Sequence, residues 1–222
     1  MSLRLRHNLH WCVCGGRAIF LDLEKGRYFC LRAAANEVFL RLAAGETKAD
    51  DTDRLRTLMG QGILVEGEGD AHFPSPALIE PPVCDYLTEA RPRADPLEIV
   101  RGLAAEMRTA WLLRTRPIKQ VIETARAQAP KLRRISANPD SSLQGIIAVA
   151  SACALLTRAH NRCLNRALVV HSACKTRGIE AKLVLGVIAH PFAAHCWVQL
   201  GSAVLVGDFE RARLYTPILV VG

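Results

Sequence analysis

Apolar and polar residues in the first third of the chain recur with a period of two, which then gives way to a period near that of a helix. His10 to Cys14 alternates, Gly15-Gly16 turns the chain, and Ala18 to Leu23 is an apolar run. Glu24-Lys25-Gly26 turns it again before Arg27-Tyr28-Phe29-Cys30-Leu31. Runs of β-formers bounded by turn residues read as strands, so three short strands are expected. Ala34, Val38 and Leu42 then fall on one stripe with Phe39 beside it, and Gly45 ends it. A second helix is expected over Thr47 to Gly60, with Thr47 or Asp50 as cap and Leu55, Leu58 and Met59 facing inward. Gly62-Ile63-Leu64-Val65-Glu66 reads as a short strand or wing. Together these elements make a small winged-helix domain.

A Pro-rich stretch, Phe73-Pro74-Ser75-Pro76 through Pro81-Pro82, interrupts the pattern. Proline fixes φ, removes a donor and disfavours helix in the residue before it. The expected division is a domain over 1–72, a linker over 73–94 and a second domain over 95–222. Asp95 caps a helix from Pro96 to about Arg114, along which Leu97, Val100, Leu103, Ala104, Met107 and Trp111 keep the helical period. Pro117 opens another, to about Ala129. One uncharged, largely apolar stretch, Ser141 to Thr157, has 17 residues. A membrane span needs about 20 mostly apolar residues, so this reads as a buried helix. Asn161 caps a further helix that ends near Arg177, with Gly178 just past its end. Ile179 to Ile188 is a strand, and a loop through His190-Pro191-Phe192 leads to a second strand from His195 to Leu200. Gly201-Ser202 turns into a return strand, Ala203 to Asp208. The fold class is α+β, with helices of the second domain packed on an antiparallel sheet.

Composition narrows the function. At 222 residues, 50% apolar and 23% charged, the chain is not disordered, collagen-like or a minimal disulfide scaffold. Aromatics at 5% leave few rings for stacking bases. The net charge of +8 is uneven: residues 1–80 carry 10 Lys/Arg against 11 Asp/Glu, and residues 81–222 carry 19 against 10. Winged helices often bind DNA, which draws its affinity from neutralised phosphates. Here the helix that would enter a groove holds Lys48, Arg54 and Arg56 against Glu46, Asp50, Asp51 and Asp53, so nucleic acid is not expected as a partner. Residues 91–134 carry 11 Lys/Arg and four Asp/Glu, either as a solvated helix face or as a platform for an acidic partner, peptide or membrane surface. After Met1 the chain passes Arg4, Arg6 and His10 without an apolar signal region. A cytoplasmic location without membrane insertion is expected, with the eight cysteines acting as core, ligand or nucleophile rather than as bridges.

The residues from Asn161 to Asp208 carry the chemistry. Asn161 as cap places Cys163 in the first helical turn, where unsatisfied N–H groups and the helix dipole favour a thiolate. Arg162 and Arg166 add positive potential. His195 lies on one strand and Asp208 on its neighbour, so Asp208 is expected to hydrogen-bond and orient the His195 ring. His195 then takes the Cys163 proton and the thiolate attacks a carbonyl. Each of these residues alone also fits a structural role; the helix–strand–strand order is what a transglutaminase-like or papain-like cysteine site requires. His7, His10, Cys12 and Cys14 form a ligand-capable cluster, but no second ligand pair follows, so neither a metal nor any other cofactor is expected. Cys30, Cys84, Cys153 and Cys174 read as small buried hydrophobes, His171 as core, and His190 as a loop residue able to touch substrate.

Two resemblances sharpen this picture. Gly26-Arg27-Tyr28-Phe29-Cys30-Leu31, the helix with Phe39 and Leu42, the acidic-polar helix and Gly62-Ile63-Leu64 resemble a PqqD-like peptide-recognition domain over residues 8–67. The resemblance implies that the leader of a precursor peptide adds as a strand at Tyr28, Phe29 and Leu31 and packs against the helix carrying Leu55. Arg162-Cys163-Leu164 through Leu168, the run Arg177 to Val187, Pro191-Phe192-Ala193-Ala194-His195-Cys196-Trp197-Val198 and Tyr215-Thr216-Pro217 resemble the B proteins of lasso peptide biosynthesis. That family implies a transglutaminase-like leader peptidase with Cys163, His195 and Asp208 as its triad and Trp197 at the substrate. It also implies an asparagine synthetase-like macrocyclase as partner. Cys196 stands where the family has alanine, and strand alternation points it away from His195. Gln199 replaces the family's usual acidic residue. Acyl transfer to an amine, or a non-catalytic scaffold that delivers the precursor, remain the alternatives.

Overall fold

The computed structural model describes residues 2–67, 73, 76–86, 94–128, 139–157 and 163–222. Asn161, Arg162 and His160, with much of the 73–94 segment, lie outside the described residues.

The N-terminal part is built on β2 (Leu9–Cys14), β3 (Arg17–Asp22) and β4 (Arg27–Cys30), an antiparallel meander in which β4 is an edge. Helix α1 (Ala33–Ala43) follows. Ala34 is exposed there, and Asn36 turns inward instead, accepting from Ala18 N (2.7 Å) and donating to Gly16 O (3.3 Å). The second helix starts later than its pattern suggests. A 3-10 turn over Ala49–Asp51 precedes α2 (Thr52–Gly60), because the Asp51 carboxylate accepts from Lys48 N and pairs with Arg41. β5 (Leu64–Gly67) does form, and it pairs antiparallel with β1 (Ser2–Leu5), a strand too short to show a pattern in sequence.

Among its described residues the second part has five helices. Asp95 caps α3 (Pro96–Thr115) by accepting from Leu97 N at 3.1 Å. Then come α4 (Ile118–Ala127), α5 (Pro139–Thr157) and α6 (Cys163–Thr176). Gly178, at φ +74, closes α6: Ile179 N reaches back to Cys174 O and Gly178 N to Lys175 O. The sheet contains β7 (Lys182–Ile188), β8 (Ala193–Leu200), β9 (Ala203–Val206) and β10 (Thr216–Val221), with the short helix α7 (Phe209–Ala212) between the last two. Its order is β10-β7-β8-β9-β6, where β6 (Cys84–Asp85) joins parallel to β9 and the other pairs are antiparallel.

That last strand comes from the expected linker, which the structure docks onto the sheet edge. Val83 N donates to Ser202 O, Tyr86 N to Val204 O and Gln199 Nε2 to Glu80 O. Prolines suit this role, since an edge strand can spare donors on its outer side.

Alternation along β2 and β3 divides their side chains between two cores. Trp11, Ala18 and Phe20 pack with Phe39, Leu42 and Leu58 of the N-terminal part. Cys12, Ile19 and Leu21 pack with Leu183, Leu185, Ile218 and Ala167 of the second part. Lys119 adds an ion pair to Glu24 across the same boundary.

Candidate active site

α6 crosses the sheet over β8 and carries Cys163 at its first residue, half-buried. The His195 imidazole faces this thiol as a hydrogen-bond partner and is the largest influence lowering its pKa. Burial opposes it; the positive charge of the ring and the backbone N–H groups of Cys196 and Leu164 reinforce it. A helix N-terminus, two backbone donors and an imidazole therefore converge on one sulfur.

His195 sits near the start of β8, opposite Gly186 of β7, and is buried. Its Nε2 lies 2.6 Å from the carbonyl oxygen of Gly207. A carbonyl can only accept, so Nε2 carries the hydrogen and Nδ1 of the neutral ring is left with a lone pair for the thiol. The ring is held between Tyr215, with centroids 5.2 Å apart, and Trp197, nearly parallel at 6.1 Å.

Asp208 does not hold this ring. It is exposed, at φ +68, and its carboxylate makes no hydrogen bond or ion pair among the described residues. The chain leaves β9 through Gly207 at φ +124 and turns the next side chain outward, so the backbone carbonyl arrives where the carboxylate was expected. A Cβ on Gly207 would lie 2.4 Å from Trp197 Cβ, and only glycine fits this approach. Asp85 does what Asp208 does not, accepting from Phe209 N at the start of α7 (3.0 Å).

Trp197 is fully buried and packs behind His195, with no exposed surface to offer a substrate. Its Nε1 donates to Gln199 Oε1 (2.7 Å), and Gln199 Nε2 donates to Glu80 O and Gly201 O. Gln199 thus satisfies three partners with one amide, a set that a carboxylate cannot match because two of them are acceptors. Cys196 faces the main core on the opposite side of β8, and burial pushes its thiol well above the ordinary range.

Tyr28, Phe29, Leu31 and Leu55 divide between two surroundings. Tyr28 faces the second part, with its ring 5.6 Å from Phe192 in the β7–β8 loop. Burial raises its phenol pKa, and the sulfurs of Cys196, Cys163 and Cys12 add to the shift. Phe29 stacks on Phe20 (5.0 Å), Leu31 is buried in the N-terminal core and Leu55 packs at its border. Leu31, expected at the edge where a leader strand adds, turns its side chain into the N-terminal core, and Arg17 donates to its carbonyl. A cavity of about 230 Å³ lies between β4 and the β7–β8 loop, lined by Ile19, Tyr28, Phe29, Cys30, His190 and Phe192.

A family model described as the transglutaminase-like superfamily matches residues 103–220, more than half of the chain. The chain belongs to the transglutaminase-like superfamily. Comparison with curated proteins and with solved structures returned no match. Transglutaminase-like enzymes are typically Cys-His-Asp proteases or acyltransferases, and the match runs from α3 to β10, across Cys163, His195 and Asp208. It does not reach β1–β5. Among the described residues no helix is long and apolar enough to cross a membrane.

Sequence reasoning missed Gly207, Tyr215 and Asp85. The Gly207-Asp208 pair is a turn signal that could have warned against a straight strand end; nothing local marks Asp85 as a partner of α7.

Proposed function

We propose that this transglutaminase-like protein is a cysteine peptidase that binds the leader of a ribosomally made precursor peptide and removes it before macrocyclisation. Cys163 attacks the carbonyl of the last leader residue, the amine departs with the proton held by His195, and water hydrolyses the thioester with His195 as base. The Gly207 carbonyl keeps the ring in the required tautomer throughout, accepting from Nε2 in both the neutral and the charged form. Leader binding is assigned to β4 as strand addition, in which an unpaired edge supplies backbone partners and alternate side-chain pockets give selectivity. The macrocyclase partner follows from the lasso resemblance, and a cytoplasmic setting is part of the same proposal.

One observation supports this reading: among the described residues β4 is an edge strand, and its Tyr28 packs on Phe192 in the loop that leads into the strand carrying His195, beside a cavity lined by both elements. A peptide laid on that edge would run toward this loop. The test is mass spectrometry of the protein with the precursor encoded beside it, for wild type and Cys163→Ala. Leader released by wild type alone, with both proteins binding the leader, is expected. Release by Cys163→Ala would remove the thiol from the mechanism. Transfer of the acyl group to an added amine instead of water would reassign the enzyme as an acyltransferase.

A further inference from the structure

The helix α3 packs on α5 and α6 through one face, where Gly102 lies against Val149 and Cys153 and the buried Glu106 pairs with Arg166. Among the described residues nothing covers its other face. Leu97, Val100, Met107 and Trp111 are 54%, 62%, 66% and 59% exposed, and Ala104 between them is exposed too. Side chains of this size, grouped on one surface, mark an interaction site rather than scattered surface apolars.

The spacing says what kind. The steps from 97 to 100, 104, 107 and 111 are three, four, three and four, which is the seam of a heptad repeat over about 21 Å of helix. In that register Arg101 and Arg108 both fall at the position flanking the seam on one side, and Arg114 follows in the last turn. Arg101 is shared with its neighbour Glu98, while Arg108 has no ion-pair partner among the described residues. Trp, Met and Arg are also the residue types enriched where proteins bind one another.

We infer that this face of α3 docks an amphipathic helix of a partner protein whose apolar seam is flanked by Glu or Asp. A second copy of the chain fits poorly. Antiparallel pairing sets Arg101 and Arg108 against their own kind, and parallel pairing sets them against Leu103 and Ala110. A lipid surface calls for a broad apolar face, whereas a strict heptad seam is narrow and shaped for knobs in holes.

The probe is a synthetic peptide of roughly three heptads, with Leu in its seam and Glu at the flanking positions; its Lys-flanked twin is the control. Binding to the full-length protein is followed by fluorescence anisotropy. The Glu-flanked peptide is expected to bind in preference to its twin, and Trp111→Ala to weaken it by about tenfold or more. Arg101→Glu with Arg108→Glu is expected to reverse the preference. All these side chains are exposed, and circular dichroism of each variant guards against loss of fold. No binding up to about 1 mM peptide, or equal binding of both peptides, overturns the inference. So does association with phosphatidylglycerol vesicles that Trp111→Ala abolishes while neither peptide binds, which assigns the face to lipid. A dimer in sedimentation that Trp111→Ala dissolves would assign it to a second copy.

Discussion

His195 Nε2 and the Gly207 carbonyl oxygen stand 2.6 Å apart, and this contact sets the protonation pattern of the whole site. The donor end of the ring is spent on a backbone acceptor that cannot be titrated, and the acceptor end is turned to Cys163. Removing the Asp208 carboxylate should therefore do little. Asp208→Asn is expected to slow acylation of Cys163 by a generic activated ester less than tenfold on an order-of-magnitude scale, against the roughly 10⁴-fold loss when a carboxylate that orients a catalytic histidine is replaced. Gly207→Ala forces the turn away from Trp197 and displaces the carbonyl; a misplacement of that kind costs about 10²-fold. Stopped-flow rates for the two variants decide between the carbonyl and the carboxylate.

The Cys163 thiol offers a pH signature. His195 lowers its pKa while burial raises it, so the two influences separate when the imidazole is removed. Alkylation by iodoacetamide, read residue by residue in a mass spectrometer, follows the thiolate and rises with pH through the pKa. The midpoint for Cys163 is expected below the ordinary 9.0 in wild type, and above it in His195→Ala, where burial acts without its main opponent. An unchanged midpoint would detach the two residues from each other.

Gln199 joins Trp197, the 76–86 segment and the β8–β9 turn through one buried amide. Gln199→Glu places a carboxylate between two carbonyl oxygens in a site without solvent. Breaking a buried polar network this way costs about 3 kcal/mol, measured as a lower midpoint in urea at neutral pH. Partial recovery at acid pH, as the carboxyl gains a proton, would show that charge and not shape is responsible.

His171 is fully buried on α6 with neither ring nitrogen partnered among the described residues. Burial, and secondarily Lys175, bring its pKa from 6.5 down to about 4. The unfolded chain therefore takes the proton first as pH falls. The stability held above pH 6.5 is lost progressively between there and about pH 4, on the order of 3 kcal/mol in all. His171→Leu is expected to flatten that part of the stability curve in urea titrations between pH 7 and 4.

Much of this was legible in the order of residues. Runs of β-formers bounded by turn residues located β2, β3, β4, β7 and β8, and the caps Asp95 and Gly178 located the ends of α3 and α6, because local sterics and backbone hydrogen bonds decide those features. The pairing of Cys163 with His195 could be expected from the order of helix and strand. What stayed hidden depends on partners far along the chain. β1 exists because β5 lies 60 residues on, and β6 because β9 offers an edge. The exchange of Asp208 for the Gly207 carbonyl turns on positive φ angles at both residues and on the close approach of Trp197 to Gly207, which no local pattern encodes.

The meander of β2, β3 and β4 gives alternate side chains to each of two cores. A protease cutting in the 68–72 segment, or a gene divided there, would strip Cys12, Ile19 and Leu21 of their cover and leave Leu183 and Leu185 facing water. The halves are therefore expected to melt as one unit, in a single calorimetric transition, and a fragment ending near residue 72 to clump rather than stand alone. The β2–β4 meander cannot loosen without loosening the core beneath Cys163.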